Sequence, residues 1–325
     1  MNCQTELRED TLDWLLEQDN AAVRYNTLKY ILGREDDALE DARSAAMKAG
    51  PIPEILGKMR SPEYSLNLPE FYTDKYRGLS WQLLILAELG ADGRDARIRN
   101  YCEYLFASSQ ERAEGGFSME TSTKIGGGRK GSTIPCLTGN MIFSLCRLGF
   151  SNDARVLKAA QWLAERQRYD DGDGTPADKP ACWGNHSCFM GAVKALKGFS
   201  EIPYDKRSAD VKRSIERGAE FLLKHHVYKQ SRDLSKPIKP GWTRFSFPLM
   251  YQTDALEMLL ILGRLGINDE RMREAAQLVE SKQDERGRWE NNAPLAGKFL
   301  VEIEPKGQSK WITMRALEAL KYYNS

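Results

Sequence analysis

The chain has 325 residues, of which 41% are hydrophobic and 29% are charged, and its formal net charge is +1. This composition indicates a globular protein with a sizeable core, and the balanced charge excludes a protein built mainly to neutralise nucleic-acid phosphates. The polar, acidic start and the short apolar runs predict neither a secretory signal nor a transmembrane segment, so we expect a cytoplasmic protein whose six cysteines are reduced or bind metal.

Along the chain, two kinds of predicted helix alternate. The first kind is apolar around much of its circumference, as in LSWQLLILAELG and TDALEMLLILGRLG, and is typical of helices buried on several sides. The second kind is amphipathic, as in LKAAQWLAERQ. We predict inner helices at about 21–32, 78–90, 138–149, 186–198, 252–265 and 311–323. We predict outer helices at about 35–49, 95–110, 153–167, 208–226 and 268–283.

Several outer helices end in a shared corner pattern, in which a glutamine precedes one or two glycines and, in two copies, an aromatic residue. Gln110 precedes Gly115, Gly116 and Phe117, and Gln283 precedes Gly287 and Trp289 in the same way. Glycine after a helix supplies a left-handed cap or a tight turn. We expect the glutamine to bond exposed backbone at the corner.

The helices at the two termini lack partners within this alternation. A helix predicted at 8–18 has no inner helix before it, and the inner helix at 311–323 has no outer helix after it. Pairing these two closes a ring of six helix pairs, whereas an open solenoid would leave apolar end faces that need caps.

The repeated Gln-Gly-aromatic corners resemble the prenyltransferase and squalene-oxidase repeat of class II terpene cyclases and protein prenyltransferase β subunits. The resemblance covers residues 78–323 clearly and residues 1–60 weakly. It implies an all-α fold, an (α/α)6-type toroid of inner and outer helices, formed by one domain over residues 1–325. A fold of this kind does not specify a reaction.

In such a ring the N-terminal ends of the inner helices converge at one mouth, where helix dipoles favour anions. Two of the predicted starts carry cysteine: Cys136 in one, and Cys182, His186 and Cys188 in the next. Three cysteines and one histidine form a common tetrahedral zinc site, so these four residues are a candidate zinc site. Two alternatives stay open: the cysteines are buried packing residues, or one is a reactive thiol activated by the helix end.

A long aromatic loop at 232–254 leads into the inner helix that begins near Asp254. Long loops often cover binding sites, although these aromatic residues would also serve simply to anchor the loop. Asp254 is the candidate general acid or carboxylate ligand. The candidate ligand-binding residues come from this loop and from three inner-helix starts: Trp81, Asn140, Trp242, Arg244, Phe247, Tyr251 and Trp311.

Two functions fit these features. The first is a terpenoid-cyclase-like or prenyltransferase-like protein, a transferase or isomerase if it is an enzyme, which binds an apolar or prenyl ligand in a central cavity and holds a diphosphate with basic loop residues. The second is a non-catalytic toroid that binds a peptide, protein or lipid and uses the Cys/His cluster as a structural metal clasp. The chain lacks both the Asp-x-Asp-Asp acid of class II cyclases and the Asp-x-Cys zinc ligands of protein prenyltransferases, and both absences favour the second function.

Overall fold

The computed structural model describes residues 8–172 and 186–325, and these residues are mostly helical. Six elements correspond to the predicted inner helices: α2 (Ala21–Asn26), α6 (Leu79–Leu89), α8 (Pro135–Leu145), α10 (Phe189–Ser200), α12 (Ala255–Arg264) and α14 (Lys310–Asn324). Short π-helical turns at Thr27–Ile31 and Cys146–Phe150 extend α2 and α8. Five elements correspond to the predicted outer helices: α3 (Asp37–Ala46), α7 (Ala96–Ser109), α9 (Ala154–Arg166), α11 (Ala209–Lys224) and α13 (Arg273–Glu280). The helix predicted at 8–18 corresponds to α1 (Glu9–Leu15).

Two further helices, α4 (Pro51–Lys58) and α5 (Pro62–Asn67), lie between α3 and α6, where the repeat makes no prediction. The strands are short and form two antiparallel pairs within the described residues. β1 (Lys229–Gln230) pairs with β2 (Asp233–Pro237), and β3 (Glu290–Asn291) pairs with β4 (Gly307–Gln308). The all-α prediction is therefore confirmed at the level of secondary structure.

Helix-to-helix contacts follow chain order. The helix α2 contacts α6, which contacts α8, and the series continues through α10, α12 and α14 before α14 contacts α2. The outer helices α3, α7, α9, α11 and α13 each contact the inner helix that precedes them in the sequence, and α1 contacts α14. One cluster of buried hydrophobic residues extends through these elements, from Leu15 to Leu320.

Burial differs between the two kinds of helix as the hydrophobic patterns predict. Every residue of α6 is buried, as is every residue of α14 from Lys310 to Leu320. The helix α11 buries only one side, which includes Val211, Ile215 and Leu222. The backbones of the inner helices α8 and α10 approach each other closely at Gly139. A Cβ atom added there would lie 2.1 Å from the backbone oxygen of Lys194.

The corner glutamine makes the backbone contacts expected of it. Gln110 Nε2 donates to the carbonyl oxygen of Gly115 at 2.9 Å and to that of Arg155, in the next outer helix, at 2.8 Å. The backbone N–H of Phe117 in the same corner donates to Thr138 Oγ1 of α8 at 2.9 Å. The corner therefore joins one outer helix to the next inner and outer helices.

Candidate functional site

The predicted aromatic loop lies against the N-terminal ends of several inner helices. Its residues 245–250 are all buried. The Phe247 ring stacks on Trp311 at the start of α14, with 4.6 Å between ring centroids. The ring centroids of Tyr251 and Trp81, at the start of α6, lie 6.4 Å apart. Asn140 Nδ2 of α8 lies 3.5 Å from the backbone oxygen of Met250. Five of the predicted ligand-binding residues therefore meet at residues 247–251.

The other two predicted ligand-binding residues lie apart from this group. Trp242 is buried against Phe189 at the start of α10, with ring centroids 5.0 Å apart, and Phe189 in turn packs on Phe221 of α11. Arg244 is exposed. The first half of the loop thus anchors to α10, as the packing alternative allows, while the second half contacts the helix starts.

Asp254 is the N-cap of α12 and is almost fully buried. Its carboxylate accepts the backbone N–H of Glu257 at 2.8 Å and that of Ser246 at 3.1 Å. Burial raises the pKa of Asp254 to about 7 in spite of these two hydrogen bonds. The residue therefore holds the loop onto α12 and titrates near neutrality.

A network of buried ion pairs joins the inner helices, and the hydrophobic patterns did not predict it. Lys194 Nζ of α10 lies 2.6 Å from a carboxylate oxygen of Glu257 in α12. Lys197 Nζ bridges Glu257 at 2.9 Å and Glu88 of α6 at 2.5 Å. Arg315 of α14 completes the network through Glu88. All five side chains are more than nine-tenths buried, so the network joins four inner helices through their interior.

A second group of charges lies at the C-terminal ends of α8, α10 and α12 and within α14. Arg147 pairs with Glu201 at 2.8 Å, and Arg264 pairs with Glu318 at 2.7 Å. The guanidinium groups of Arg147 and Arg264 each lie 4.9 Å from the centroid of the Tyr30 ring. Both groups of ion pairs lie largely buried between inner helices.

A cavity of about 400 Å³ lies instead beside the loop, next to Phe247. Its wall includes Phe247, Pro248, Leu295, Phe299, Ile303 and Glu304. Its residues come from the 245–254 loop and from the segment between β3 and β4. The cavity has a size that suits a small molecule, and polar and apolar atoms contribute about equally to its wall.

Glu304, a titratable residue in the cavity wall, is hydrogen-bonded to the N-terminal end of α14. Its carboxylate accepts the hydroxyl of Ser309, which is the N-cap of α14. Burial raises the pKa of Glu304 to about 7, although Ser309 and the backbone N–H groups of Trp311 and Lys310 stabilise the carboxylate. Arg315 lies 4.5 Å from the Phe247 ring centroid, and its charge acts on both Glu304 and Asp254.

Part of the predicted metal site can be located. Cys136 and Cys188 are free thiols at the starts of α8 and α10. Burial raises the pKa of Cys136 to about 11, and the nearby Cys188 adds to the rise. His186 is exposed, and Cys182 lies outside the described residues. Within residues 8–172 and 186–325 no three His, Cys, Asp or Glu side chains form a metal-binding group, so the four-residue zinc site stays a prediction.

Comparison with protein-family models and with curated protein sequences finds no significant match for this chain. The resemblance to the prenyltransferase and squalene-oxidase repeat therefore rests on the corner motifs and the helix alternation. No helix in the described part of the chain is long and apolar enough to cross a membrane.

Proposed function

We propose that the protein is a single-domain (α/α)6-type toroid that binds an apolar small molecule at its mouth. The ring is supported by the order of helix contacts, which runs through the six inner helices and returns from α14 to α2. The contact of α1 with α14 supports closure of the ring by its terminal helices. These contacts and the corner hydrogen bonds agree with the family resemblance.

The observation that carries the proposal is the cavity beside Phe247. Its wall includes aromatic and aliphatic side chains, such as Phe247, Leu295 and Phe299, and Glu304 contributes a largely buried carboxyl group. Because buried ion pairs take up interior space between the inner helices, the ligand lies at their N-terminal ends.

Calorimetric titration with geraniol, a short prenyl alcohol, tests this proposal. Leu295 lies in the cavity wall, so Leu295→Lys should place a charge in the apolar site and weaken geraniol binding at least tenfold. Leu66 is 80% exposed and lies outside that wall, so Leu66→Lys is the matched control and should bind as the wild type does. Equal binding by both variants, or no binding by the wild type, would refute the proposal.

The same cavity supports a test of catalysis. A carboxyl group that titrates near pH 7 is suited to general acid–base chemistry. Incubation with prenyl alcohols and prenyl diphosphates, followed by product analysis, would detect a transferase or isomerase. A product that forms with the wild type and not with Glu304→Gln would assign the reaction to this site.

A non-catalytic toroid with a metal clasp is the second candidate function. The observation in its favour is that Cys136 and Cys188 interact across the starts of two neighbouring inner helices. Metal analysis of protein purified without chelator should then give one zinc per chain, lost in Cys182→Ser and in His186→Ala. Metal-free protein under reducing conditions would exclude the clasp.

A further inference from the structure

The polar groups at the mouth cavity are mostly hydrogen-bond acceptors. Its wall contains two carboxylates, Glu302 and Glu304, and the described wall residues include no lysine or arginine. Glu302 is exposed at the rim, whereas Glu304 is largely buried. A phosphate would therefore meet negative charge here, in contrast to the diphosphate expected from the sequence.

Asn291 is fully buried next to two residues of the cavity wall. Its Nδ2 atom lies 3.4 Å from the backbone oxygen of Phe247 and 3.3 Å from that of Glu304, both of which are wall residues. Its Oδ1 atom is buried and has no hydrogen-bond partner among the described residues. The amide nitrogen faces these backbone oxygens, so the unpartnered atom beside the wall is the amide oxygen.

The nearby donors are engaged elsewhere. The Ser309 hydroxyl donates to Glu304 and accepts the backbone N–H of Ile312 at 2.9 Å. Arg315 donates to Glu88, and its guanidinium lies over the Phe247 ring. A ligand that brings its own donors would complement this site, and an ammonium group carries three donors and a positive charge.

We propose that the ligand of the mouth cavity is an amphiphilic amine, with its apolar chain in the cavity and its ammonium group bonded to Glu304. This inference rests on the proposed function, because it specifies the head group of the same ligand. Glu302 at the rim adds a second, weaker attraction for the cation.

Calorimetric titration of the full chain at pH 8 with geranylamine, geraniol and geranyl phosphate tests the head group at a constant chain length. We expect the amine to bind about tenfold to a hundredfold more tightly than the alcohol, because hydrogen bonds between charged groups are stronger than neutral ones. The phosphate should bind most weakly. Equal binding of amine and alcohol, or tightest binding of the phosphate, would overturn the amine proposal and leave the cavity proposal standing. Absence of binding by all three would overturn both.

Variants identify the carboxylate. Glu304→Gln should abolish the preference for the amine over the alcohol. Glu302→Gln should lower the preference for the amine by a smaller factor. Because Glu302 is exposed and does not contact Ser309, this variant leaves the N-terminal cap of α14 intact. Glu290→Gln, an exposed carboxylate outside the wall, is the matched control and should change nothing. An unchanged preference in both cavity variants would refute the role of these carboxylates.

The pH dependence gives a separate measurement. Glu304 faces the Ser309 hydroxyl, the backbone N–H groups at the start of α14 and the charge of Arg315, and Glu302 shares its cavity. Lowering the pH from 8 to 6 protonates Glu304, so amine binding should weaken several-fold while geraniol binding stays constant. A flat amine profile, or a parallel change with geraniol, would contradict the proposed ion pair.

Discussion

The buried network predicts that Glu257→Gln strongly destabilises the protein. Glu257 accepts from Lys194 at 2.6 Å and from Lys197 at 2.9 Å. These two lysines outweigh the effect of burial and hold the pKa of Glu257 at about 2. The glutamine has nearly the same shape but no charge, so the variant leaves Lys194, a fully buried ammonium group, without its only ion-pair partner within the described residues.

The size of the effect follows from what Lys194 can do next. Burial already lowers the pKa of Lys194 to about 8 with Glu257 present. Without that partner, the cheapest response at pH 7 is to release the proton, which costs about 5 kcal/mol for a lysine with an ordinary pKa near 10.4. Breaking a buried ion pair typically costs about 3–5 kcal/mol. We therefore expect Glu257→Gln to lower the free energy of unfolding by about 3–5 kcal/mol.

Urea denaturation followed by circular dichroism measures this loss. The folded variant with neutral Lys194 binds fewer protons than the unfolded chain below pH 10, so its stability should rise as the pH rises from 7 to 9. Adding Lys194→Met removes the unpaired charge and should recover most of the loss, since replacing a buried ion pair with apolar groups is often nearly neutral. A loss below about 1 kcal/mol, or no recovery in the double variant, would refute this account of the interior.

Three other predictions concern single residues. The folded state binds an extra proton at Asp254 between about pH 4 and pH 7, so stability should decline as the pH rises through this range, and Asp254→Asn should show a shallower decline in urea titrations, since Glu304 supplies the rest; parallel profiles would contradict it. Gly139→Ala forces a Cβ atom against backbone and should cost about 3 kcal/mol or more in thermal melts, whereas Gly57→Ala, a helical position with open space, should stabilise by about 0.5–1 kcal/mol. Gln110→Ala removes the donor that bonds two backbone oxygens and should cost about 1–3 kcal/mol, and an unchanged melting temperature would show that the corner does not depend on it.

The helices and corners were predictable because they depend on local patterns. A period of 3.6 residues identifies a buried helix such as α6, and glycine after a helix marks where the chain turns. The predicted boundaries differ from the observed ones by a few residues: the start of α10 was expected at 186 and is Phe189. At that point Cys188 caps the helix through the backbone N–H of Gly191, at 3.4 Å. A sulfur N-cap gives only a weak sequence signal.

The ion-paired interior was not predictable from periodicity, which treats every charged residue as a solvent-facing one. The available signal was the position of charges within apolar segments: Glu88 in LILAELG, Lys194 and Lys197 in AVKALKG, and Glu257 in ALEMLL. A charge in such a segment needs a partner. The partner lies on another repeat, over fifty residues away in sequence, so one segment cannot reveal the pair.

The loop shows a different limit. Trp242 and Phe247 are five residues apart, and the sequence assigned both to one pocket. In the structure Trp242 packs on Phe189 of α10, whereas Phe247 stacks on Trp311 of α14. Nearness in sequence does not decide which helix an aromatic side chain meets, because an extended chain of five residues spans about 17 Å.

The position of the charges bears on how the proposed ring fits together. Glu88, Lys197, Glu257 and Arg315 come from four helices, and each pairs with a charge on another helix. Rotating one inner helix by a single residue would turn its charge away from its partner and leave both unpaired in a low-dielectric interior, which is costly. Apolar contacts alone would tolerate such a rotation far better, since they are not directional. The ion pairs therefore select one arrangement of the inner helices. The 245–254 loop and the segment between β3 and β4 lie outside these helices, so they form the mouth cavity without disturbing a single ion pair.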